Sequence, residues 1–403
     1  MASLMGLKVA DKESSHCCGA AFLLSQNKIN YNGIIQVNNS WDVVVGSSIF
    51  PYVIARGNIS TSDTSIIKSS AYNAVQQAFD LLSIESSINL STAHIDNEYI
   101  LWWKEKGQQY IRFVFTNVIS IEGEVEAFSV DKEGNMIKIP TNTPVYDQCL
   151  RYYRLSQTTD DLYDSFRNMY LCFELLLSSY YLRGRLKEGE WIKTAFSKLK
   201  NQKEISEILG CEEEKVAEIF HKRIYKETRC KMFHAKKDLA ILLPNHNSGR
   251  RIVQSSLFDL GRIVILMANE FLGVEKRSVF TEHLFNRLVD DHAIGDFMVL
   301  SKTAQDVINN SKKGSTQEEE YKFPVKIYRN PSYPQTQTYS IEVDKEEIRK
   351  IDMLSHFNIV SEKGVSCVNK VKREFSTENI DKFQIHINLH YRNGNLPNIY
   401  FKK

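Results

Sequence analysis

The chain contains no Cys-x-x-Cys pair, and its seven cysteines (Cys17, Cys18, Cys149, Cys172, Cys211, Cys230 and Cys367) are odd in number. Neither a zinc knuckle nor a disulfide framework is indicated, and a reducing cytoplasm suits that usage. Cys17 and Cys18 follow His16, but adjacent cysteines rarely chelate one ion well. No long apolar run opens the sequence. Ala20–Leu24 is too short for a signal-peptide core or a membrane span, so no membrane partner is expected. No glycine-rich loop of the kind that cradles phosphates occurs, and no internal repeat is visible. The net charge is only +2, which argues neither for nor against nucleic acid. No metal and no cofactor are predicted.

What is present is ordinary globular material. Of 403 residues, 42% are hydrophobic and 25% charged, enough for a sizeable core. At roughly 100–200 residues per domain, two to four domains are expected. Residues 1–150 read as an α+β domain. Tyr31–Val37 and Trp41–Val45 are rich in β-branched and aromatic residues. Ser60–Asp63 then start a helix of roughly 20 residues, with Ile67, Ala71, Val75, Ala78 and Leu82 at helical spacing. Strands return at Tyr99–Trp103, Tyr110–Phe115, Val118–Val130 and Met136–Ile139, with Glu133-Gly134-Asn135 as a hairpin turn.

The period changes near Asp160. Leu162, Phe166, Met169, Phe173, Leu176 and Tyr180 form an apolar helix stripe. Short helices follow, and Ile252–Phe271 forms a last, strongly apolar one closed by Gly273. Residues 151–275 therefore read as an all-α bundle. Residues 276–320 read as a helical connector and polar linker, and 321–403 as a second α+β domain. The fold class predicted is α+β, multidomain, with a central all-α bundle flanked by α+β domains. In Phe383–Tyr391, strict alternation puts His386 and His390 on one face. At ~3.3 Å per residue they lie about 13 Å apart, too far for one metal, and they are taken as surface histidines.

Chemistry concentrates at Tyr225–Asp238. From Arg183 to Lys237 there are fifteen Lys/Arg against nine Glu, a local excess of positive charge. Arg229 offers a planar, permanently charged fork for phosphate, and His234 can give or take a proton near neutrality. Arg-x(4–6)-His recurs at Arg277/His283, Arg287/His292 and Arg349/His356, but none of these lies in a basic stretch. On a regular helix, five residues separate two side chains by about 140°. Arg229 and His234 diverge unless the helix distorts or ends between them, or unless they meet the equivalent pair of a second copy. Arg167 and Glu174, seven apart, share one face of a neighbouring helix. They read either as orienting groups, paired as a buried ion pair, or as a structural salt bridge. Lys231, Lys236 and Lys237 read either as guides for an RNA backbone or as solubilising charge.

The succession Phe166–Glu174, then Arg229-Cys-Lys-Met-Phe-His234, then a final apolar helix, resembles the HEPN superfamily. More narrowly it resembles the MauJ-like bacterial proteins. The HEPN likeness covers about 155–273. It implies a bundle of four or five helices that dimerises, with two Arg-x(4–6)-His motifs facing each other and cutting RNA without metal. On that likeness Arg229 and His234 are the catalytic pair, RNA is the substrate and antiphage or toxin-type defence is the setting. The flanking domains would then sense a trigger or bind a regulatory partner. Where the family often has Asn, Asp or His after the arginine, this chain has Cys230. The alternative is therefore a catalytically inactive dimerisation or sensor protein.

Overall fold

The computed structural model describes residues 2–4, 7–10, 16–26, 31–46, 51–121, 128–138, 143–233, 241–243, 247–274, 287, 297–301, 321–329, 335–348, 353–361, 364–376, 380–393 and 402. In chain order, β1 (Ala2–Leu4), β2 (Leu7–Ala10), β3 (Cys18–Leu23), β4 (Gly33–Val37), β5 (Trp41–Val45) and β6 (Tyr52–Gly57) precede helix α1 (Thr64–Glu85). Then come β7 (Glu98–Glu105), β8 (Gln108–Ile121), β9 (Phe128–Val130) and β10 (Met136–Lys138). Helices follow: α2 (Cys149–Thr158), α3 (Leu162–Tyr180), α4 (Glu188–Phe196), α5 (Gln202–Leu209), α6 (Val216–Phe220), a π-helical stretch (His221–Cys230), α7 (Lys231–Phe233) and α8 (Asn247–Leu272). The last strands are β11 (Phe297–Ser301), β12 (Tyr321–Pro324), β13 (Lys326–Arg329) and β14 (Thr336–Asp344). A short helix, α9 (Lys345–Ile348), precedes β15 (Met353–Ser361), β16 (Gly364–Ser376) and β17 (Lys382–Asn393).

These elements form two compact units. The first joins 1–120 to 285–392, and the second joins 121–284 to 393–403. The fold is thus α+β, but residues 1–150 and 321–403 do not make two separate flanking domains. Their strands join side by side, β17 against β8, in one nine-stranded sheet of order β13-β14-β17-β8-β7-β3-β6-β5-β4. The pairing is nonlocal, so hydrophobic patterning could locate the strands but not their neighbours.

In the first unit, α1 starts where Asp63 accepts the N–H groups of Ser65 and Ile66, the expected cap chemistry. Its buried stripe, Ile67, Ala71, Val75, Ala78 and Leu82, packs with β3, β5 and β6 in one core. A second, six-stranded sheet has the order β12-β11-β15-β16-β1-β2. Phe357 of β15 lies 5.7 Å from Phe113 and 5.4 Å from Phe115 of β8, ring to ring. The two sheets therefore share an aromatic core.

The second unit gathers α2 to α8 around one core that includes Phe166, Phe173, Phe196, Phe220, Leu257 and Leu260. The Phe220 ring lies 4.2 Å from Phe196 and 4.9 Å from Phe173. The β9–β10 hairpin turns where expected, with Gly134 at φ +87°. The chain end returns to this unit. Lys402 Nζ donates to the carbonyls of Thr159 and Gln157, and Arg250 donates to the Lys402 carbonyl. Helix α8 is long and apolar enough to cross a membrane by length and composition, yet more than half of that stretch is buried.

Three further expectations need correction. Residues 276–320 were read as helix and linker, but Phe297–Ser301 is a strand paired with β12 and β15. Met298 and Leu300 alternate into the core, so sheet burial overrides the local helical pattern. Apart from Arg287, the rest of 276–320 lies outside the described residues. For Arg349/His356 the local pattern predicts the end of a helix, but His356 is a buried residue of β15. His386 and His390 do share a face, but neither is a surface group: His390 is 1% exposed and His386 half-buried. The alternating acids of Glu122–Glu126 lie outside the described residues.

Candidate functional site

Three elements of the helical unit meet at Arg229. Helix α3 contributes Tyr170 and Glu174, four apart and so on one face. Helix α4 begins with Glu188, whose charge the helix dipole favours in the first turn. The π-helical stretch contributes Tyr225 and Arg229. In a π-helix the hydrogen bonds run i→i+5 and the turn is widened. Here Thr228 donates its hydroxyl to the Arg223 carbonyl at 2.9 Å, five residues back, and lies 2.8 Å from the Ser256 hydroxyl. Arg223 donates to the Leu209 carbonyl and to Asp259, 2.8 Å each, and ties the same stretch to α5 and α8.

The Arg229 guanidinium lies 3.1 Å from the Glu188 carboxylate, which also accepts the Tyr170 hydroxyl at 3.2 Å. Its central carbon lies 5.5 Å from the Tyr170 ring, 5.5 Å from Tyr225 and 5.3 Å from Phe233. Three aromatic faces therefore enclose one cation. Arg229 and Glu188 are 18% and 16% exposed, so their attraction is screened less than at an open surface. The Arg229 Nε is buried without a hydrogen-bond partner, leaving one donor of the fork unused.

The surrounding titrations follow from this arrangement. Burial works against the charge of Arg229, but Glu188 and Tyr170 outweigh it and hold the guanidinium above its usual value. Burial raises Glu174, and the nearby Glu188 raises it further, while Arg229 and Arg183 pull it down. Burial and then Glu188 also raise Tyr170, and they push Tyr225 up to about 12. Glu188 thus pairs with the caged arginine, and Glu174 feels its charge from further off.

Beneath the cage, His221 stacks on Tyr225 at 5.2 Å. Burial and then Lys193 and Lys226 hold His221 below its usual value. Gly189 makes this approach possible, because a Cβ there would come within 2.7 Å of the His221 Nε2 and 3.2 Å of the Tyr225 ring.

The predicted residues divide. Arg229 lies near enough to Glu174 to pull its carboxyl down, and Cys230 lies beside Arg229 and Tyr225. Arg167 does not join them. Its side chain is 55% exposed and pairs with Asp164 one turn earlier on α3. The proposed Arg167–Glu174 ion pair is therefore not formed: Arg167 pairs with Asp164, and Arg229 pairs with Glu188. Lys231 is half-buried. His234, Lys236 and Lys237 lie outside the described residues. One condition for Arg229 and His234 to approach is visible: the helix is distorted over His221–Cys230.

Sequence reasoning missed Glu188, Tyr170, Tyr225 and Gly189. A glutamate opening a helix, followed by a glycine inside its first turn, is a local signal. Nothing local pairs it with Arg229.

No curated protein and no solved structure shows significant similarity to the chain. Residues 149–268, which carry α2 to most of α8 and the whole Arg229 cage, match the family described as methylamine utilization protein MauJ.

Proposed function

We propose that the helical unit is an HEPN-like bundle and that the chain is a latent, metal-independent endoribonuclease. The observation that carries the reading is the caged Arg229, with an unused Nε donor, five residues before His234 at the end of a widened helix. In the reaction the ribose 2′-oxygen attacks the adjacent phosphorus. The bond from phosphorus to the 5′-oxygen breaks, leaving a 2′,3′-cyclic phosphate and a 5′-hydroxyl. His234 accepts the proton of the 2′-hydroxyl or donates one to the leaving oxygen. Arg229 stabilises the charge on the phosphorane, more strongly as water is excluded. In a homodimer formed through the bundle, two copies divide the acid and base roles. Lys231, Lys236 and Lys237 steer the RNA backbone.

The Arg229–Glu188 pair gives this reading its latency. RNA phosphate must displace Glu188, or Glu188 must take a proton, before Arg229 can serve. The first unit then senses the trigger or holds a regulatory partner, and the setting is bacterial antiphage or toxin-type defence in the cytoplasm. The test is incubation of the purified chain with total RNA in EDTA, comparing wild type with Arg229→Ala and His234→Ala, alongside toxicity on overexpression. Cleavage or toxicity that both substitutions abolish is expected. Equal behaviour of all three proteins overturns the reading.

A second reading has its own observation. Glu188 already satisfies Arg229, and Cys230 occupies the position where the HEPN likeness often has a polar side chain. A non-catalytic bundle that dimerises and relays a signal from the first unit would carry this ion pair as structure. The same assay separates the two, since this reading predicts a dimer without RNA cleavage under any trigger.

A further inference from the structure

The α1-covered face of the nine-stranded sheet changes character along its width. On β3, β5 and β6 it presents Ala20, Phe22, Val43, Val45, Val53 and Ala55, all buried. Beyond β7 the same face becomes polar. Arg112 lies opposite Leu101, His386 opposite Ser340, and Gln384 opposite Glu342. Tyr328 of β13 joins them, its hydroxyl 3.4 Å from the His386 Nδ1.

Arg112 is the centre of this group. Its Nε donates to Gln384 at 2.8 Å and its Nη1 to the Thr64 hydroxyl at 3.2 Å, and its guanidinium lies 5.2 Å from the Trp103 ring. A guanidinium has five N–H donors. These two bonds leave three, including the pair at the open end that forks a carboxylate. Among the described residues no carboxylate pairs with Arg112. The nearby acid, Glu342, accepts from Gln384 at 2.6 Å. Burial disfavours the charge of Arg112, while Tyr99, Tyr328 and Glu342 act against that loss. Burial and then Arg112 push His386 down to about 3. The imidazole is therefore neutral near pH 7, and Arg112 is the cation at the centre of the cluster, with the Glu342 carboxylate near it but outside its fork.

We propose that this face of the first unit binds a small organic carboxylate, with Arg112 forking the carboxylate and Tyr328 and His386 taking a second polar group of the ligand. The charge balance selects the class. One cation with Glu342 nearby suits a single negative charge, and disfavours a phosphate dianion or a nucleic acid backbone. Tyr328 is 43% exposed, so a ligand reaches the cluster from solvent. The site stands whether or not the helical unit cleaves RNA.

The test is calorimetric titration of the full-length chain with lactate, 4-hydroxybenzoate, inorganic phosphate and AMP. Saturable binding of at least one carboxylate is expected, weakened about tenfold or more by Arg112→Gln. Arg112→Lys keeps the charge but loses the fork, so it falls between the two. Tyr328→Phe removes only a hydroxyl from a partly exposed ring, leaves the fold intact and weakens binding roughly two- to fivefold. Circular dichroism confirms that each variant is folded. Three results overturn the proposal: no saturable carboxylate binding to wild type, equal affinity in wild type and Arg112→Gln, or preference for phosphate or AMP over both carboxylates. Unchanged affinity in Tyr328→Phe overturns the second contact.

Discussion

Glu188 opens helix α4 with its carboxylate 3.1 Å from the guanidinium of Arg229. The pair is enclosed enough for its loss to be felt. Glu188→Gln removes the charge and leaves Arg229 caged by three aromatic rings without a counter-ion. A loss of about 1–3 kcal/mol is expected, read by urea unfolding of the helical unit. Tyr170→Phe removes the second hydrogen bond to the same carboxylate, so the double variant should lose less than the two single losses together. Additive losses would mean that the two bonds are independent.

Gly189→Ala sets two effects against each other. Alanine favours a helix over glycine by about 1 kcal/mol in the interior, and by less in a first turn. The added Cβ would stand 2.7 Å from the His221 ring, and overpacking of a buried contact costs about 1–3 kcal/mol. Net destabilisation near 1 kcal/mol is expected, measured by thermal unfolding. His221→Ala in the same background should recover part of it.

Phe220→Ala tests the centre of the helical core, where Phe220 meets both Phe173 and Phe196. The residue is fully buried. A loss of about 3–5 kcal/mol is expected. A loss below about 1 kcal/mol would show that the core collapses around the cavity.

Buried histidines make the first unit sensitive to acid. Burial and then Arg392 lower His390 to about 4, whereas an unfolded histidine titrates near 6.5. Between these values the unfolded chain binds more protons, so stability falls as the pH drops from about 6.5 towards about 4. The contribution is fully present above pH 6.5, and its loss is on the order of 3 kcal/mol. His386 acts in the same direction. Trp41, Trp102 and Trp103 lie in the first unit and Trp191 in the second, so intrinsic fluorescence in a Trp191→Phe background follows the first unit during urea unfolding. His390→Gln should flatten the acid slope.

Much of this molecule is local in origin. Asp63 and the stripe from Ile67 to Leu82 define α1 because a cap and a 3.6-residue period need only adjacent sequence. The same holds for the α3 stripe, for β5, and for the alternation that sets His386 and His390 on one face of β17. The basic surroundings of Arg229 and its spacing to His234 are equally local, and they single it out as a candidate.

Partnership was decided by tertiary structure alone. Periodicity tells which face of an element is apolar, but not which element covers it. So local pattern predicts helix where β11 is buried between β12 and β15, and it divides the two chain ends into separate domains although their strands share one sheet. For the same reason Arg167 was paired with Glu174 by their common helix face, when the carboxylate that holds Arg229 comes from Glu188 on α4. Residue type and spacing determined which groups carry charge and which sides of the elements are buried. Only the folded chain, by bringing distant segments within a few ångströms and excluding water there, decided which charges meet.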